Sequence, residues 1–146
     1  MDPTADVTSI AHVIQISVAP VFLLTGVGAM IAVLTNRLGR AVDRARSLEG
    51  RYDTAAAEMQ AKLRSELRVL ERRSRMIYAG MLLCALCALL VCSVIVGLFA
   101  STITGAAIAP VIGALFVAAM FAFMGALVAF LVEVNLALRT LHIGPP

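Results

Sequence analysis

Two of the three cysteines in this chain, Cys84 and Cys87, stand at the C-x-x-C spacing used by metal sites and redox pairs. That chemistry needs further ligands nearby, and the only histidines, His12 and His142, sit near opposite ends of the sequence. Cys84, Cys87 and Cys92 instead fall within one long apolar run, where a thiol serves as a small apolar side chain. Six of the nine acidic residues lie between Asp43 and Glu71, each among arginines at the spacing of solvated ion pairs. There is no glycine-rich phosphate loop followed by lysine, no zincin motif and no nucleophile elbow. The expectation is a protein that is not an enzyme, with no catalytic residue, no metal site and no cofactor.

The elements that hold these residues are set by where charge is missing. Val7 to Asn36 contain no Lys, Arg, Asp or Glu, and neither do Met76 to Val132. Between them, Arg37 to Arg75 hold 11 of the 12 basic residues. A helix needs about 20 mostly apolar residues to cross the hydrocarbon core. Residues 12–34, 77–100 and 108–132 each supply such a run, and Ser101 to Ala107 separate the last two with small and turn-forming residues. The class expected is all-α: an integral membrane protein of one domain over residues 1–146, with three transmembrane helices. Lys and Arg near transmembrane ends stay on the cytoplasmic side. The basic segment is therefore expected inside, the N-terminus outside and the C-terminus cytoplasmic. The N-terminus carries Asp2 and Asp6 and no basic residue before the first run, which is too long for a signal peptide.

The segment at about 36–75 reads as a cytoplasmic helical hairpin prolonging the first two spans. Leu38, Val42 and Ala45 recur at helical spacing, so the first helix is expected to continue to about Leu48. Gly50 reads as a stop, and Asp53 with Thr54 as the cap of a second helix running from about Thr54 to Ala100. Ala56, Met59, Leu63, Leu67 and Leu70 form a heptad-like stripe on that helix, with Glu58–Lys62 and Glu71–Arg75 as supporting pairs. In the third span, Ala114, Ala118, Ala122 and Ala126 repeat at i,i+4, a spacing for close helix contact either within the chain or between subunits.

Three stretches carry a resemblance. They are Ser17-Val-Ala-Pro-Val-Phe-Leu-Leu-Thr-Gly-Val-Gly-Ala-Met30, then Leu34-Thr-Asn-Arg-Leu-Gly-Arg-Ala-Val-Asp-Arg-Ala-Arg46, and Glu66-Leu-Arg-Val-Leu-Glu-Arg-Arg-Ser-Arg75. Together they resemble a family of short bacterial inner-membrane proteins with a domain of unknown function. The resemblance implies three membrane helices and a bacterial source, and it implies no activity.

At 100° per residue, Gln15, Ala19, Phe22, Gly26, Ala29, Val33, Arg37, Arg40 and Arg44 gather into an arc of roughly 80° on the first helix. This stripe is polar at one end, small in the middle and basic at the other. Around an axis of several copies it would line a pore, with Phe22 and Val33 as constrictions and the arginines as stacked rings. The same stripe also fits the water-facing side of the hairpin, a contact with anionic headgroups, or an anionic partner. Pro20, followed by Thr25, Gly26 and Gly28, fits either a bend or close packing. Glu133 is the acid at the end of the third span, level with Arg37 and Arg75. An ion pair of Glu133 with Arg37 is expected there, with interfacial snorkelling as the other reading.

The hairpin holds 11 basic and 6 acidic residues and one aromatic, Tyr52, too few for nucleic-acid stacking. The partners expected are membrane lipids, further copies of the chain and small inorganic ions. The functional expectation is a homo-oligomeric ion channel lined by the first helix. The alternative is a membrane scaffold or regulatory subunit whose hairpin docks a partner or anionic lipid.

Overall fold

The computed structural model describes residues 3–52, 57–105 and 108–140, with side-chain surroundings for 11–52, 59–105 and 108–137. These residues form α1 (Pro3–Tyr52), α2 (Ala57–Thr104) and α3 (Ala109–Thr140). α1 has 50 residues, α2 48 and α3 32. At about 1.5 Å per residue, α1 and α2 exceed twice the ~30 Å hydrocarbon thickness.

Each helix continues past the end expected from hydropathy. α1 does not stop at Leu48 but passes through Gly50 to Tyr52. A solvent-facing glycine costs a helix only about 1 kcal/mol relative to alanine. α3 does not end with the apolar run at Val132 but extends to Thr140. α2 takes up Ser101–Thr104 of the expected separator, where the Ser101, Thr102 and Thr104 hydroxyls donate back to carbonyls of the preceding turn. It ends at Gly105, whose φ of +66° lets its N–H donate to the Ser101 carbonyl at 2.9 Å. That is the left-handed termination for which glycine is suited. The cap expected at Asp53 and Thr54 lies outside the described residues. So do Ala56, Ala106, Ala107 and His142, and the side chain of Glu58 in its pair with Lys62.

Burial recurs every seven residues. The protected positions on α1 include Pro20, Val27, Leu34, Ala41 and Leu48; on α2, Leu63, Ile77, Cys84 and Val91, with a second row at Gly80, Cys87 and Val94; on α3, Ala119, Ala126 and Glu133. A seven-residue repeat is the signature of knobs-into-holes helix packing. It corrects two sequence expectations. Met59 faces outward rather than joining the α2 stripe. The α3 alanine row splits, with Ala114 and Ala118 exposed and Ala122 and Ala126 buried. An i,i+4 row drifts by about 40° per step, so it cannot stay on one contact face over that length, and Ala119 takes the buried place instead.

The described residues pack as two compact units, each drawing on all three helices. The unit of Met1–Met30 with Leu83–Met124 has Val27, Cys84, Cys87, Val91, Val94, Ala119 and Ala122 as its core. Gly97 allows a close approach there, since a Cβ at that position would lie 3.2 Å from Ile112 Cγ1. Pro20 is accommodated in this unit without interrupting α1, and the buried Ser17 hydroxyl donates to the Val13 carbonyl at 2.8 Å. The unit of Ile31–Leu82 with Gly125–Pro146 has Leu34, Ala41, Leu48, Leu63, Ile77 and Ala126 as its core. Gly80 lies against Leu34, Ala126 and Ala129 at its centre.

Candidate functional site

One heptad beyond Ala126, the protected position on α3 is occupied by a carboxylate. Glu133 is 1% exposed. An uncompensated charge in such a place would be strongly unfavourable, and two arginines on different helices answer it. Arg37 of α1 reaches Oε2 through Nη1 at 2.5 Å, and Arg73 of α2 reaches Oε1 through Nη2 at 2.9 Å. Each carboxylate oxygen thus accepts a charge-assisted bond from a separate helix, tying all three together. The Arg37 guanidinium also lies over the Phe130 ring, 4.9 Å from its centroid. The Arg73 Nε is buried without a hydrogen-bond partner.

Arg73 was not singled out by sequence. It lies one heptad before Gly80 and two before Cys87, so extending the row of Gly80, Cys87 and Val94 downward would have selected it among Arg68, Arg72, Arg73 and Arg75. Arg75 bonds Glu71 at 3.0 Å on the exposed side, the i,i+4 pair expected from the sequence. Two cations share one carboxylate, so the cluster keeps one positive charge in excess. The carboxylate itself is buried, with both oxygens engaged by guanidinium groups.

The stripe on α1 separates into two environments. Gln15, Ala19, Phe22, Gly26, Ala29, Val33 and Arg40 are exposed, Phe22 at 72%. Open space lies beside Gly26, with no atom within 4 Å of where a Cβ would stand. Arg44 is exposed but leans towards Glu66 of α2, at 4.0 Å. Arg37 leaves the stripe altogether, half-buried against Glu133 and Phe130. Leu24, Ile31, Leu38 and Val42, on the other side of α1, are half-buried.

Where α1 and α2 run on beyond the triad, they enclose a groove of about 630 Å³. Its floor is apolar (Val42, Ala45, Leu67 and Leu70) and its walls carry Arg46, Arg64, Arg68, Glu49 and Glu71. Tyr52 is engaged near its end, accepting a bond from Arg64 Nε at 2.6 Å with the guanidinium over its ring. Cys84 and Cys87 are both buried in the helix core, and Cys92 is exposed. Among the described residues no group of three or more His, Cys, Asp or Glu is placed to hold a metal ion.

Three helices long and apolar enough to cross a membrane, joined by a buried charge cluster, define a polytopic α-helical membrane protein. Residues 17–143 match the family described as "Protein of unknown function (DUF2721)", and the chain belongs to that family. The family resemblance in the runs from Ser17, Leu34 and Glu66 falls within the matched region. Comparisons with curated proteins and with solved structures found no match.

Proposed function

We propose that the protein is a homo-oligomer of the bacterial inner membrane in which the free face of α1 lines a path for small inorganic ions. The observation that carries this reading is the composition of that face. α2 and α3 turn large apolar side chains outward, among them Leu82, Leu89, Phe121, Val128 and Leu131. α1 also turns Ile14, Ile16, Val18 and Val21 outward, but it leaves Gln15 and Thr25 exposed among them, alongside Ala19, Gly26 and Ala29. A polar side chain facing lipid is unfavourable, and small residues favour close helix approach, so further copies of α1 are the natural cover. Phe22 and Val33 would be the apolar constrictions, and Arg40, with Arg44 at the flank, the basic mouth. Arg37 contributes no ring in this arrangement, because its charge is engaged by Glu133.

The proposed orientation, N-terminus outside and C-terminus cytoplasmic, follows from the basic α1–α2 extension, which becomes a cytoplasmic hairpin. The chain acts without enzymatic chemistry and without a cofactor. Nucleic acid is not among the proposed partners, because the extension offers one aromatic, Tyr52, too few for a stacking platform. The second reading, a scaffold or regulatory subunit, is favoured by the groove between α1 and α2, which has an apolar floor and charged walls.

Subunit number separates the two. Native mass spectrometry of the protein in lipid nanodiscs should give a single closed ring of four or more copies. Cysteines introduced at Gly26, Val33, Arg40 and Arg44 should then react with small aqueous thiol reagents, and conductance should follow in planar bilayers. A monomer or dimer would remove the path through α1 and leave the scaffold.

A further inference from the structure

We propose that α2 carries a binding site for the headgroup of an anionic phospholipid, formed by Arg68, Arg72 and Arg75. These arginines follow one another at i, i+4 and i+7, and at 100° per residue they share one helix face. All three are exposed, and with Glu71 and Met76 they line a hollow of about 450 Å³. Arg75 bonds Glu71 at 3.0 Å. Among the described residues Arg68 and Arg72 form no ion pair, so the hollow presents two uncompensated guanidinium groups. The guanidinium fork matches phosphate oxygens in pairs, as an ammonium group does not.

The same face turns apolar within two turns of Arg75, at Ala79 and Leu82, both exposed. From Arg68 to Leu82 these residues occupy an arc of about 80°. A headgroup phosphate at the arginines therefore leaves its acyl chain running along apolar helix surface, which distinguishes a lipid from a free anion. Positive-inside topology requires basic residues but is indifferent to the face they occupy. Here the unpaired ones stand on the face that leads into the span. The site does not depend on whether α1 lines a path.

The test uses the full chain in detergent micelles, titrated separately with phosphatidylglycerol and phosphatidylcholine, with bound lipid read by native mass spectrometry. Phosphatidylglycerol should bind more tightly than phosphatidylcholine. The double variant Arg68→Gln with Arg72→Gln should weaken phosphatidylglycerol roughly thirty-fold, at about 1 kcal/mol per basic residue near a membrane surface. Arg46→Gln with Arg51→Gln removes the same charge elsewhere on the extension and should cost less than about threefold. Equal losses in the two variants, or equal binding of the two lipids, would overturn the site. Displacement of phosphatidylglycerol by millimolar inorganic phosphate would overturn the lipid assignment in favour of a free anion.

Discussion

Glu133→Gln isolates the charge of the buried cluster while keeping its shape. The carboxylate accepts from Arg37 at one oxygen and from Arg73 at the other. The amide keeps one acceptor and turns an N–H₂ donor towards the second guanidinium, so one bond is lost and the other weakened. A hydrogen bond to a charged group contributes about 1.5–3 kcal/mol, which puts the gross loss near 3 kcal/mol. The arginine side chains are 27% and 25% exposed, so on losing their partner they recover part of this by turning towards water or headgroups. The expected net destabilisation is about 2 kcal/mol. Equilibrium unfolding in mixed micelles of rising sodium dodecyl sulfate content measures it directly. A cycle with Arg73→Gln should show coupling of about 1.5 kcal/mol, within the range for residues in one network. Destabilisation below about 0.5 kcal/mol, or a coupling indistinguishable from zero, would mean that the cluster does not join the helices and that the reasoning is wrong.

The geometry also makes three shorter predictions. Exchanging the charges in Glu133→Arg with Arg37→Glu should restore only part of the stability lost in Glu133→Arg alone, because Arg73 still faces position 133; full recovery in the same unfolding assay would show that Arg73 does not share the carboxylate. Gly80→Ala should stabilise by about 0.5–1 kcal/mol, since its Cβ would meet Leu34 Cδ1 at 3.4 Å and the Ala126 carbonyl oxygen at 3.8 Å, both ordinary contacts. Gly80→Leu should destabilise by about 1–3 kcal/mol through overpacking, and equal stability of the two variants would contradict the close approach at that position. In detergent-solubilised, folded protein a small permeant maleimide should label exposed Cys92 ahead of buried Cys84 and Cys87, and all three cysteines after unfolding, counted by intact mass.

The spans were legible because a long uncharged run has few other physical explanations, and the α1 and α2 extensions because their periodicity survives among polar residues. The seven-residue repeat within the spans was not legible. Val27 and Leu34 lie among neighbours that are nearly all apolar, so hydropathy carries no phase there, and only packing distinguishes Val27 from Phe22. Glu133 stood out as an isolated acid at a span end. Arg73 did not, because α2 offers Arg68, Arg72, Arg73 and Arg75 in close succession and only helix register selects among them. The helical stretch of α3 beyond Val132 is a related case. Hydropathy reports where apolar character stops, whereas the backbone continues helical until something opposes it.

Because burial returns every seventh residue on each helix, the helical parts of this chain are unforgiving of changes in length. A single-residue deletion between Leu63 and Arg73 leaves every downstream residue type in place yet turns one side of the cut by about 100° relative to the other. Anchored at Arg73, it carries Leu63 out of the core; anchored at Leu63, it swings Arg73 away from Glu133. Removal of seven residues preserves the phase and only shortens the rod. Viable length variants of this protein should therefore differ by whole heptads within the helices, with irregular insertions confined to the joints after Tyr52 and at Gly105.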